Sequence, residues 1–390
     1  MAVSAFEYSN PRVERIVFGR GVVRQLADEV RRLGASRVFV VTSPSITRSY
    51  LLDAVRSALG DLCVGVFDTV QPHSPTDSIG VAAKQAADAS ADAFVSVGGG
   101  SSIDTAKGMA ALMAEGRPLK DLATHFIPPD KKEVPDMPAP KMPHIAIPTT
   151  FSGGEYSYSA GLAEGGYKLI LADPKMSPRT VMLDPEAAQT APAKLLAASG
   201  MNALAHCVEA VYSTQTQILS QAYCLAAIGP ITTYLPRLVA DMNDLEAIGE
   251  MQVAATLSSL GVYSAWTGIH HGIVHVIGGR FTVPHANIHA LMLPYAMRWN
   301  LDGTTEAMAR MARVMGVHEP DDLKAAAEAP EVVYGMNVKM GLPLRLRDLE
   351  IPHDALPSLA DAALDDISTH NNPKKIHSAS QVLECLEMAW

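Results

Sequence analysis

The chain has 390 residues and a formal charge of −10, with 31 Lys+Arg against 41 Asp+Glu. With 48% hydrophobic and 18% charged residues it has the balance of a well-packed globular protein, long enough for two domains. An acidic chain of pI about 5.7 argues against nucleic acid or an anionic membrane as a partner, yet leaves open a locally positive pocket for a small acidic substrate.

Met1–Arg15 has no apolar stretch of signal-peptide type, and no run of 18 apolar residues predicts a membrane helix. Four scattered cysteines, Cys63, Cys207, Cys224 and Cys385, form no CxxC pair. They fit a reducing compartment, and the expectation is a cytoplasmic protein.

The first 185 residues alternate β and α. Arg37–Val41, Cys63–Phe67, Ala93–Val97 and His144–Ile147 read as strands, with helices over Val22–Leu33, Ser78–Ala89 and Thr105–Ala114. This order predicts βαβ units in a doubly wound parallel sheet. Six prolines between Ile127 and Pro143 predict a surface loop inserted between core strands. After Asp184-Pro185 the pattern becomes helical, over Pro192–Tyr212, Ser220–Leu235, Leu245–Tyr263, Ala286–Asn300, Thr305–Met315 and Ser378–Met388. The expected organisation is an α/β nucleotide-binding domain over 1–185 and an all-helical domain over 186–390.

Gly98-Gly99-Gly100-Ser101-Ser102-Ile103-Asp104 follows a strand and opens a helix, the place where backbone N–H groups and a helix N-terminus hold a phosphate. It is not GxGxxG, and a tight strand-to-helix turn explains the glycines equally simply. Pro148–Glu155, with Thr149, Thr150, Ser152 and two glycines, follows another strand and would line the same crevice. Ser43 stands at the strand end where an acidic residue would bond the adenosine ribose, so NAD(H) and NADP(H) both stay open.

Of 13 histidines, five (His270, His271, His275, His285, His289) fall within 20 residues, where random scatter places fewer than one. His271 and His275 are four apart, as are His285 and His289. Asn202, His206 and Glu209 share one helix face upstream. Imidazoles converging from separate helices are the raw material of a divalent metal site or of proton transfer.

These motifs resemble the iron-containing (group III) alcohol dehydrogenases, most closely their maleylacetate reductase branch. The matching segments are Phe18–Gly21, Gly98–Lys107 (GGGSSIDTAK), Pro148–Glu155 (PTTFSGGE), Lys168, Asp184-Pro185, Gly200–Glu209 (GMNALAHCVE), Ile269–Pro294 and Asn372–Lys374. The resemblance implies an N-terminal nucleotide domain, a helical domain and a cleft between them. It implies cofactor binding by Gly99, Gly100, Ser101 and Asp104, with Thr149, Thr150, Ser152 and Lys168 along the rest of the cofactor path. It places His275 beside the nicotinamide as a proton relay, with His206, His271 and His285 as further catalytic groups. Metal-dependent members bind iron or zinc through an Asp and three His, matched here by Asn202, His206, His271 and His285. Asn202 is a neutral amide, a poorer ligand than a carboxylate, so a metal is not assumed. The maleylacetate reductase branch shares the Gly-Met-Asn-Ala segment and the doubled His270-His271.

The function this implies is NAD(P)H-dependent reduction of a small carboxylated oxo or enoyl acid, with maleylacetate to 3-oxoadipate the first choice. The alternatives are a metal-dependent alcohol or hydroxy-acid dehydrogenase and, remotely, a non-catalytic ligand-binding homologue. Without a metal, His206, His271 and His285 are expected to donate hydrogen bonds to the substrate, helped by a cation, Arg280 or Lys107. A homodimer or larger homo-oligomer is implied.

Overall fold

The computed structural model describes residues 5–10, 12–127, 131–165 and 167–390. It forms two compact units, 11–192 and 193–390 together with 1–10. The division falls a few residues beyond 185. Asp184 caps the helix that follows it and also accepts the backbone N–H groups of Gly21 and Val23, so that helix stays with the α/β unit. The N-terminal segment belongs with the helices because Tyr8 donates its hydroxyl to Leu260 O at 2.8 Å.

In chain order the α/β unit contains β1 (Arg15–Phe18), α1 (Leu26–Arg32), β2 (Val38–Thr42), α2 (Pro44–Thr47), α3 (Leu51–Leu59), β3 (Cys63–Phe67), α4 (Thr76–Asp88) and β4 (Ala93–Gly98). Then come α5 (Gly100–Glu115), β5 (His125–Ile127), β6 (Lys131–Glu133), β7 (His144–Pro148), β8 (Ser159–Glu164), β9 (Tyr167–Ala172), β10 (Thr180–Leu183) and α6 (Pro185–Ala188). Six strands make one parallel sheet in the order β1-β10-β7-β4-β2-β3. β2, β4, β7 and β10 are buried along their whole length, as their continuous apolar runs require of a sheet covered on both faces. The order reverses between β2 and β4, so the crevice of this doubly wound sheet opens at Thr42-Ser43 and Gly98.

The proline-rich segment is more structured than a surface loop. β5 and β6 pair antiparallel, Met137 is buried, and Lys141 sends its ammonium inward to Glu115 at 2.6 Å. Pro128 and Pro129 lie outside the described residues. Proline's missing N–H kept this stretch out of the main sheet, while a side-chain ion pair pins it.

The helical unit contains α7 (Ala193–Tyr212), α8 (Ile218–Ala240), α9 (Leu245–Val262), α10 (Ile269–Arg280), α11 (His285–Val314), α12 (Asp322–Met340), α13 (Leu356–Leu364) and α14 (Ala379–Ala389). By length and apolarity alone α8 is long enough to cross a membrane, but it carries Pro230 and Pro236 and packs against α7 and α9. α11 spans both helices expected over 286–315, and its backbone leaves helical geometry at Thr304 (φ −138°), between them.

α10 positions the histidines. Ile269, Ile273 and Ile277, at i, i+4 and i+8, are buried in a core with Ile288, Leu291 and Met292 of α11. That stripe anchors the helix, at about 1.5–3 kcal/mol for each fully buried isoleucine. It turns His271 and His275 onto another face.

Candidate active site

In the α/β unit the glycine turn is shorter than the sequence suggests, because Gly100 is already the first residue of α5. Gly98 has φ +138°, a region closed to other residues, and a β-carbon there would stand 2.6 Å from Ser102 Oγ. The loop after β7 lies against this turn. Thr149 N–H donates to Gly98 O at 3.0 Å, a β-carbon on Gly99 would sit 3.1 Å from Thr150 Cγ2, and one on Gly100 would sit 3.5 Å from Ser152 Oγ. The result is the N-terminus of a 16-residue helix walled by hydroxyls, whose backbone N–H groups could hold a phosphate.

Other expected cofactor residues are placed nearby. Asp104 Oδ2 accepts Gly161 N–H at 3.1 Å, tying α5 to the β8–β9 hairpin. Lys168 sits on β9, its Cε 3.1 Å from where a β-carbon on Gly161 would be. Ser101 carries the carbonyl that accepts Ser74 Oγ–H at 3.0 Å. Ser43 is at the end of β2, with its hydroxyl paired to Ser45 Oγ at 2.8 Å.

Lys107 is fully buried and donates to Gly154 O at 2.7 Å and Ser159 O at 2.9 Å. It holds the Thr149–Glu155 loop in place, so it is committed inside the α/β unit and does not act as a cation toward substrate. Arg280, at the exposed end of α10, donates to Ser358 Oγ of α13 at 2.9 Å. Burial pushes the Glu155 carboxyl up to about 7, against a smaller opposing pull from Lys107, and its Oε2 has no hydrogen-bond partner among the described residues. The folded state therefore keeps a proton that the unfolded chain has lost above pH 4.5. Stability falls as pH rises from about 4.5 through 7, by up to about 3 kcal/mol from this group. Glu155→Gln should flatten the fall in melting temperature over that window; an unchanged slope would remove Glu155 from the account.

In the helical unit six side chains from three helices meet: His206 and Glu209 from α7, His271 and His275 from α10, and His285 and His289 from α11; Asn202 stands one turn before His206 on α7. His206 and His271 stack at 5.0 Å between ring centroids, His271 and His289 approach to 4.8 Å, His271 and His275 to 6.0 Å, and His275 and His285 stack at 6.4 Å. Gly278 makes room for His285, whose Nδ1 would lie 2.6 Å from a β-carbon there.

Glu209 organises the pocket. Its side chain is fully buried at the N-terminus of α10, where Oε1 accepts His270 N–H at 2.9 Å and Oε2 accepts His271 Nδ1–H at 2.5 Å. Burial alone would raise its pKa, but His271, His270 and these hydrogen bonds together hold it well below the usual carboxylate range. An ionised carboxylate only accepts, so the proton of His271 is on Nδ1 and Nε2 presents a lone pair. The expectation that His271 donates to substrate is corrected: its free nitrogen accepts. His270, the other half of the doublet, bonds His289 O through Nε2 at 2.9 Å and serves packing.

Burial, and then the neighbouring imidazoles, push His206 to about 3; burial brings His271 to about 4 against the pull of Glu209, and His289 falls well below 6.5. All three are neutral at pH 7. His275 differs, with a third of its side chain exposed and Nδ1 3.1 Å from Asp366 Oδ2.

Three buried atoms of this pocket, His206 Nδ1, His271 Nε2 and His289 Nδ1, have no hydrogen-bond partner among the described residues, and neither has Asn202 Oδ1 one turn before His206 on α7. Unpaired buried polar atoms cost about 1–3 kcal/mol each, so their gathering marks a site built to be filled. Neutral imidazoles and an amide oxygen fit a divalent ion by donor type, with no anionic ligand among Asn202, His206, His271 and His285.

Comparison with known proteins bears on both units. Residues 13–185 match the family described as iron-containing alcohol dehydrogenase, and residues 196–390 match the C-terminal part of the Fe-containing alcohol dehydrogenase family. Maleylacetate reductase 1 of Cupriavidus pinatubonensis is 31% identical over 372 residues, covering 95% of this chain and 93% of that protein. Lactaldehyde reductase of Escherichia coli (strain K12) is 31% identical over 388 residues, covering 96% and 97%. Among solved structures, a 1,3-propanediol oxidoreductase superposes with a TM-score of 0.91 at 26% identity, covering 99% of this chain and 100% of that one.

Proposed function

Because the chain belongs to the iron-containing alcohol dehydrogenase family and is an NAD(P)-dependent oxidoreductase, we propose that it reduces a small carboxylated oxo or enoyl acid, with maleylacetate to 3-oxoadipate as first choice. The observation that carries this reading is Asn202, an amide in the histidine pocket where metal-dependent relatives place a carboxylate.

The α/β unit holds the nicotinamide cofactor through the N-terminus of α5 and the Thr149–Ser152 hydroxyls, with Lys168 along its path. When bound, the nicotinamide would supply a hydride to the enoyl carbon β to the oxo group, which leaves the electron pair on the oxo oxygen as an enolate for this chain's residues to stabilise. An Asp at 202 would repel that charge; the Asn202 amide N–H donates to it. Neutral His206 carries one further N–H for the same oxygen or a substrate carboxylate, and His285 packs beside His275 and His289. His275 supplies the proton that completes the reduction at the α carbon, being about a third exposed and able to be reprotonated from solvent.

A second reading, a metal-dependent alcohol or hydroxy-acid dehydrogenase, is favoured by the unpaired lone pairs of His206 and His271 and by the equal identity to a lactaldehyde reductase. A divalent ion bound by Asn202, His206, His271 and His285 would polarise the carbonyl oxygen. A substrate panel separates the two. With NADH and NADPH, kcat/KM for maleylacetate should exceed that for lactaldehyde by about 100-fold or more. A preference for the aldehyde would overturn the first reading in favour of the second.

A further inference from the structure

We infer that Asp366 is a positioning residue that fixes the ring orientation and tautomer of His275, so that Nε2 is the atom that exchanges a proton with substrate; this rests on the role of His275 proposed above.

Asp366 lies just beyond α13, 91 residues from its partner. Both of its carboxylate oxygens are committed: Oδ2 faces His275 Nδ1 at 3.1 Å, and Oδ1 accepts Ser368 N–H at 2.8 Å. The turn that carries it is locked. Thr369 N–H donates to Asp366 O at 3.0 Å, and Thr369 Oγ1–H to Ala363 O at 2.6 Å. The turn docks on α10 where there is no side chain, since a β-carbon on Gly272 would stand 2.1 Å from Thr369 Oγ1. One helical turn from that contact is His275. The aspartate is thus delivered to the imidazole by backbone packing, and a rotation of the ring would forfeit the bond.

The chemistry follows from the partners. A carboxylate accepts and does not donate, so Nδ1 holds a proton in both charge states of the ring. Nε2 is then the nitrogen that gains or loses one. An unconstrained histidine side chain prefers the opposite neutral tautomer, with the proton on Nε2, so Asp366 imposes the productive form. The pocket holds two carboxylate–histidine pairs with different surroundings. Glu209–His271 is sealed in the core; Asp366–His275 keeps solvent contact, with side chains 18% and 34% exposed. The sealed pair presents a fixed lone pair, and the open pair can be resupplied with protons from water.

The test uses the full-length protein, labelled with 15N-histidine, and the variants Asp366→Ala and Asp366→Asn. The asparagine variant keeps the volume and an oxygen for Ser368, which covers a folding failure of the alanine variant. The His275 ring resonances, identified by their loss in His275→Gln, should show a protonated Nδ1 and an unprotonated Nε2 in the neutral wild type, and should shift toward the other tautomer in both variants. Steady-state turnover should fall about 10–100-fold in kcat, with KM for the reducible substrate within about threefold. In the His275→Gln background the Asp366 substitution should change kcat less than about twofold, since nothing remains to position. A wild-type ring with its proton on Nε2, or an Asp366 effect that persists without His275, overturns the inference. A wild type that reduces aldehydes but no oxo acid contradicts the substrate reading instead, and the same cycle is then run with the aldehyde.

Discussion

Glu209→Ala should abolish turnover and destabilise the helical unit by about 3–5 kcal/mol, the cost of breaking a buried, hydrogen-bonded charge arrangement by removing one partner. Two donors, His270 N–H and His271 Nδ1–H, lose their acceptor in a site with no water-exposed substitute. Glu209→Gln isolates the chemical part of the loss. The amide keeps the volume and can still accept from His270 N–H, but its NH2 group then faces His271 and drives the proton from Nδ1 to Nε2. The lone pair that the pocket presents at His271 is replaced by an N–H. The glutamine variant should fold, with a lowered melting temperature, and lose about 10–100-fold in kcat/KM. Full activity in Glu209→Gln would show that the tautomer of His271 does not matter. Thermal melting beside NADH turnover decides it.

Gly98→Ala should weaken cofactor binding about 10–100-fold while leaving the histidine pocket intact. The cause is local. At φ +138° an alanine is strained by about 1–3 kcal/mol, and its β-carbon would overlap Ser102 Oγ at 2.6 Å and press on Ser102 Cβ at 3.2 Å. Relief requires the first turn of α5 to shift, and with it the N–H groups proposed to meet the pyrophosphate. Each 1.4 kcal/mol lost there is a factor of ten in Kd. Fluorescence titration with NADH should show the change. Unaltered affinity would mean that the α5 N-terminus is not where the cofactor's phosphates bind.

The parts of the molecule legible in its sequence were those with one dominant local signal. Three of the central strands, β2, β4 and β7, are continuous apolar runs, and β3 and β4 begin where the patterning puts them. β1 and β10 went unread because four residues carry too little periodicity, and β1 is mostly exposed. The β8–β9 hairpin was hidden by its small residues, so Lys168 had no visible support. α10 is helical despite three histidines and three glycines because the isoleucine stripe and the packing of Gly272 and Gly278 against neighbours outweigh propensity.

In the site, spacing placed Asn202, His206 and Glu209 on one face of α7. That Glu209 would reach the start of α10 and set a tautomer needed the tertiary structure. Asp366 had no sequence signal at all: it meets His275 only because the turn at 366–369 docks on Gly272. The doubled His270-His271 looks like one feature in the sequence and is two in the structure, a ring bonded to His289 O and a ring bonded to Glu209.

We propose that this pocket reduces its substrate with its own hydrogen-bond donors, Asn202 in the carboxylate's place. NADH oxidation with maleylacetate is to be measured before and after exhaustive chelation, with the metal content of the same sample determined. Most of the rate should survive in metal-free protein. Loss of activity on chelation, restored by stoichiometric iron or zinc, would contradict it.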